Sequence, residues 1–80
     1  MLFRLNIETD KGNFDSVVVQ FLNEETARRS VDEPGDSGYQ LLGIISALFN
    51  SIDPIVIKWT IGEKVISPLD SDTVIRSPFV

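Results

Sequence analysis

The sequence predicts an α+β domain, a small sheet of three to five strands with two helices packed on one face. Three observations carry this. Residues 2–9 alternate apolar and polar side chains with the period of a half-buried strand. A stretch from Ser37 to Ile52 has no charge and places its large apolar residues at helical spacing. Beyond Pro54 the chain returns to period two. Two β-hairpins flanking one helix is the alternative architecture. The 80 residues suit a single domain spanning 1–80.

Taken in order, Phe3, Leu5 and Ile7 are the buried side of the first strand, and Thr9-Asp10-Lys11-Gly12 is a turn ending on a residue that tolerates positive φ. Residues 14–29 support two readings. Phe14, Val17, Val18, Phe21 and Leu22 form a helical stripe, with Asn13 as N-cap. Glu24 with Arg28 and Glu25 with Arg29 are i, i+4 pairs that favour a helix by roughly a few tenths of a kcal/mol each. Three consecutive valines favour a strand that pairs back on residues 2–9. The charge pairs tip the balance to helix, because a strand gains nothing from that spacing. A short strand over Arg29–Asp32 is then expected, followed by a loop at Asp32-Glu33-Pro34-Gly35-Asp36-Ser37.

Asp36 or Ser37 is the expected cap of a second helix running from about Tyr39 to Ile52, striped by Leu41, Ile44, Ile45, Leu48, Phe49 and Ile52 and stopped by Asp53-Pro54. Ile55, Ile57 and Trp59 alternate with polar or outward residues, Ile61-Gly62-Glu63-Lys64 reads as a turn, and Val65-Ile66-Ser67 as the returning strand of a hairpin. Thr73–Arg76 adds a short edge strand, and Ser77–Val80 is read as a loosely ordered tail.

Composition narrows function by exclusion. The chain has no cysteine and no histidine, so thiolate nucleophiles, thiolate or imidazole metal sites and imidazole-based triads are all absent. The net charge is −5 and the seven cations are scattered, which argues against direct nucleic-acid or anionic-membrane binding. The N-terminal residues lack the pattern of a signal peptide, and the expectation is a cytoplasmic protein.

The motifs that resemble catalytic signatures fail on their own chemistry. Gly35-Asp36-Ser37-Gly38 matches the surroundings of the nucleophile in trypsin-like proteases, but no base accompanies it, and a capping turn explains the same residues. Asp32, Glu33 and Asp36 offer oxygen ligands without the closing glutamate of a calcium loop, and Asp70 with Asp72 is a weaker set still. Tyr39, Ser37 and Lys64 form no nucleophile–base motif, and the glycines form no phosphate loop. The reading is therefore a non-enzyme with no cofactor and no metal.

The positive signal is the uncharged second helix. One helix on a small sheet needs an apolar stripe about 100° wide, and this one exceeds it, so another chain is expected to cover the surplus. The apolar interface candidates are Tyr39, Leu42, Phe49 and Trp59. Asp32, Glu33, Asp36, Asp70 and Asp72 are the acidic candidates for a basic partner.

Phe21-Leu22-Asn23-Glu24-Glu25 followed by Arg28-Arg29-Ser30-Val31, then Pro34-Gly35 and Gly38 before an apolar helix, and Ile55–Ile66 with glycine at its turn, together resemble the effector-associated constant component family of small bacterial proteins. Phe21 stands where that family has tryptophan and Ser30 where it has glycine. The resemblance implies an adaptor in a bacterial conflict system, acting by protein–protein contact and carrying no catalytic residues. The expected function is thus an interaction module, an adaptor or regulator in a bacterial or phage conflict system, which binds another protein or a second copy of itself. The alternatives are a phage-encoded acidic inhibitor of a basic nucleic-acid-handling enzyme, and a small self-assembling structural or virion protein.

Overall fold

The computed structural model describes residues 1–49 and 55–80, with the backbone alone at Ile57. Seven elements follow in the order β1 (Leu2–Thr9), β2 (Gly12–Phe14), β3 (Val17–Gln20), α1 (Glu24–Asp32), α2 (Gly35–Leu48), β4 (Val56–Val65) and β5 (Thr73–Arg76). This is the expected α+β class: a mixed five-stranded sheet with two helices on one face.

β1 is the axis of the sheet. Its alternation buries Phe3, Leu5 and Ile7 on the helix side. Along one edge it pairs antiparallel with β2 and β3, successive pieces of one strand; along the other it pairs antiparallel with β4. β5 lies outside β3 and runs parallel to it, with Val17 opposite Thr73 and Gln20 opposite Arg76. The turn at Asp10-Lys11 closes on Gly12, whose φ is +118°.

Residues 14–29 divide between the two readings, which corrects the single long helix. Residues 12–20 form the hairpin partner of β1, and the helix starts ten residues later than expected, capped by Asn23 rather than Asn13. Asn23 Oδ1 accepts the Thr26 N–H at 2.9 Å, and the Asn23 N–H donates to Thr26 Oγ1 at 3.0 Å. Glu24 and Arg28 do meet within α1, at 3.5 Å. Arg29–Asp32, expected as a strand, is the end of that helix. The run of valines is a strand because both of its faces are covered: Val17, Val18 and Val19 are all buried.

α2 spans Gly35–Leu48, with Pro34 in place of Asp36 or Ser37 at its N-cap and Phe49 at its C-cap. Pro34 suits the first turn because a proline there loses no helical N–H bond. The expected stop at Asp53-Pro54 and the stripe residue Ile52 lie outside the described residues.

The expected C-terminal hairpin is also corrected. Residues 56–65 are one strand, paired with β1 from Thr9 to Leu2. Gly62 marks a bulge, where three residues of β1 (Phe3 to Leu5) face four of β4 (Lys64 to Ile61). A Cβ on Gly62 would lie 2.9 Å from the Arg4 carbonyl oxygen and 3.2 Å from Asn6 Nδ2, so the strands approach this closely only around a glycine.

Because β5 sits beyond β3, residues 66–72 cross the sheet on the face opposite the helices. Arg4 holds that crossing in place. Its guanidinium donates to both carboxylate oxygens of Asp72, at 2.5 and 2.9 Å, to Glu63 Oε1 at 3.1 Å and to the Asp15 carbonyl at 2.9 Å. Asp72 also accepts the Leu69 N–H at 2.8 Å, and its side chain is 2% exposed. Residues 77–80, expected as a loose tail, return to the core: Ser77 N–H donates to the Gln20 carbonyl, Phe79 is buried, and Arg29 donates to the Val80 carbonyl.

Two expected outcomes follow from this packing. Gly62→Ala should lower stability by about 1–3 kcal/mol in urea unfolding, since backbone must move to admit the methyl group. The Arg4 hydrogen bonds, then the Leu69 N–H, hold the Asp72 carboxyl below its ordinary 3.8. A carboxylate with a lowered native pKa stabilises the fold fully above the unfolded value and loses that contribution as pH falls through the native one. Acid titration of stability should therefore show a loss beginning below about pH 4, and Asp72→Asn should be less stable at neutral pH with a shallower acid limb.

Candidate functional site

The helices do not meet the sheet squarely over β4. Between the end of α1, the start of α2 and β4 lies an open groove of about 510 Å³. Ser30 and Val31 form one wall, Pro34, Gly35, Gly38, Tyr39 and Leu42 the other, and Lys58 and Trp59 the floor and rim.

Each side chain reaches the groove for a local reason. Trp59 lies opposite Ile7 on the core side of the sheet, so its ring points toward the helices. Its Nε1–H donates to Ser30 Oγ at 3.4 Å, and Ser30, fully buried, donates in turn to the Ala27 carbonyl at 2.6 Å. The Ser30 hydroxyl, the buried polar group of the groove wall, is thus already satisfied from both sides. On α2 the buried line runs through Gly38, Leu41 and Ile45. Leu42 and Tyr39 fall on one flank of that line and Ile44 and Leu48 on the other, as 3.6 residues per turn requires. Tyr39 is 77% exposed, and Ile44 and Leu48 are exposed as well. The expected apolar surplus is therefore present on α2, split into two flanks, one of which is the groove wall.

Of the apolar candidates, Tyr39, Leu42 and Trp59 come together here. Phe49 does not; it is half-buried against Phe14, ring centroids 5.1 Å apart, away from the groove. Of the acidic candidates, Asp32, Glu33 and Asp36 are exposed around the α1–α2 corner that forms the groove wall. Asp70 is exposed in the crossing segment on the opposite face, and Asp72 departs from its expected role altogether, being taken up by Arg4. Sequence reasoning missed Ser30, Val31, Pro34, Gly38 and Lys58 as groove residues. The Pro34-Gly35 pair was a signal for a sharp corner, but not for what that corner would face.

Among the described residues, no cluster of three or more acidic side chains is placed to hold a metal ion, and no helix is long and apolar enough to cross a membrane. Comparison with family models, curated proteins and solved structures finds no match. Two of the segments behind the family resemblance, Arg28–Val31 and Ile55–Ile66, lie in α1 and along β4.

Tyr39 and Leu41 separate surface from core on the same helix. Tyr39→Ser should leave the unfolding free energy, measured in urea, within about 0.5 kcal/mol of the parent. Leu41→Ala, at a site with no exposure, should cost about 2–5 kcal/mol.

Proposed function

We propose that this protein is a non-enzymatic interaction module whose groove between α1, α2 and β4 receives an apolar side chain from a basic partner protein. The single observation that carries this is the groove itself, with Trp59, Leu42 and the exposed Tyr39 on one rim-to-floor surface and Asp32, Glu33 and Asp36 at its corner. Aromatic anchors in a concave apolar patch are typical of protein-binding hot spots. A small-molecule site uses several convergent polar groups to orient its ligand, whereas here Ser30 is already bonded to Ala27 and Trp59. The acidic corner favours lysine- or arginine-bearing partners and speeds their approach. An adaptor or regulator role, the kind implied by the family resemblance, belongs to the same class, but the proposal stands on the groove alone.

The test is selection from a random peptide library, followed by the emission of Trp59, the sole tryptophan. Selected peptides should carry a large apolar residue near lysine or arginine and shift that emission. Leu42→Asp should weaken them about tenfold or more, the size of one anchor contact. Replacing Asp32, Glu33 and Asp36 by serine should weaken them and flatten their salt dependence. Selection of no peptide, or of peptides indifferent to Leu42→Asp, would rule the groove out.

A further inference from the structure

The backbone of β4 beside the groove has an open hydrogen-bonding side. Met1 and Phe21 exchange two hydrogen bonds, each 2.7 Å, so the odd residues of β1 turn their N–H and C=O groups toward β3 and the even ones toward β4. The Asp10 N–H, which donates to the Ile55 carbonyl, obeys the same parity. Asn6 lies opposite Thr60 and Glu8 opposite Lys58. Lys58 and Thr60 therefore point their backbone groups at β1, and Trp59 and Ile61, which alternate with them, point theirs away from the sheet. No strand pairs with that side of β4 among the described residues. Trp59 thus combines a ring on the groove floor with a backbone N–H and C=O facing the open edge.

We infer that the groove's occupant binds by strand addition: an extended segment of a basic partner pairs with β4 through Trp59 and Ile61, and sends alternate side chains into the groove. This rests on the reading of the groove as a protein-binding site and specifies how it binds. Three features favour this occupant. The free backbone groups and the apolar groove are contiguous at one residue. A paired strand turns every second side chain to the helix side, the one that bears the groove. The exposed acids Asp32, Glu33 and Asp36 complement a cation two residues from the anchor, and they set one copy of this chain against another, so a basic partner fits better than a second copy.

The probe is a capped peptide of about seven residues, within the usual strand length. It has lysine, leucine and lysine at its second, fourth and sixth positions, and threonine at the others. The leucine and both lysines then share one face, whichever way the peptide runs. Amide hydrogen exchange is followed by NMR on the full chain. In the free protein the Lys58 and Thr60 amides should be protected and those of Trp59 and Ile61 should not. Saturating peptide should slow exchange at Trp59 and Ile61 by about tenfold or more. Methylating the peptide nitrogens on alternate residues, in the frame that pairs, should weaken binding about tenfold for two lost hydrogen bonds; methylation in the other frame should not.

A peptide that shifts Trp59 emission but leaves the Trp59 and Ile61 amides exchanging freely would overturn strand addition and leave the groove reading intact. Protection of those amides without peptide, growing with protein concentration, would assign the edge to a second copy and overturn the inference. Failure of this peptide and of every library peptide to bind would remove the groove reading, and strand addition with it.

Discussion

The Arg4–Asp72 pair determines which edge of the sheet is left open. Strand β4 could be followed by a neighbour on its own outer side, which is what a C-terminal hairpin would have produced. Instead residues 66–72 recross the sheet and deliver β5 to the far side of β3. Such a crossing lies over the sheet face that carries Arg4, Asn6, Glu8 and Thr60, opposite the buried Phe3, Leu5 and Ile7, and something on that face has to hold it there. Arg4 does so with hydrogen bonds to Asp72, Glu63 and the Asp15 carbonyl, which join the crossing segment, β4 and the irregularity between β2 and β3 at one guanidinium. A buried ion pair is weak evidence for stability when isolated, because desolvation opposes the attraction. Here both carboxylate oxygens are occupied and Leu69 adds a backbone donor, so neither oxygen of the desolvated carboxylate is left unpaired. Val18 is buried beneath the crossing, on the face opposite the helix-side core.

That crossing also explains what the sequence displayed and what it hid. β1, the turn at Gly12, α2 and β5 were legible because each follows a local rule of period or punctuation. Residues 14–29 were not, because burial on both faces removes the alternation that identifies a strand, and the remaining pattern of Phe14, Val17, Val18 and Phe21 mimics a helix. The covering segment, residues 66–72, lies about fifty residues away in the chain, beyond any local rule. Gly62 misled for a related reason. A glycine followed by Glu63-Lys64 is good turn chemistry, yet here it relieves a close approach to the Arg4 carbonyl within a continuous strand. The role of Asp72 was hidden for the same reason, since its partner lies 68 residues away. The groove was half legible: the excess apolar surface of α2 could be read from composition, but that Trp59 would face it depended on the register of β4 against β1.

The open edge is itself constrained. Exposed strands invite pairing between copies, and proteins blunt them with charge and bulges. β4 carries Lys58, Glu63 and Lys64, and its pairing with β1 is interrupted both between Phe3 and Leu5 and between Glu8 and Thr9. The longest stretch of unbroken register covers Lys58–Ile61. A partner strand laid along so short a stretch gains few backbone hydrogen bonds, each worth about 0.5–1.5 kcal/mol net, and backbone pairing recognises no sequence. Specificity then has to come from what lies beside the strand. In this chain that is Trp59, Leu42 and Tyr39 for an apolar anchor and the Asp32, Glu33 and Asp36 corner for a cation. The same two bulges that limit promiscuous edge pairing therefore make the proposed strand addition depend on the groove, and the groove depends in turn on β5 having been drawn to the other side of the sheet.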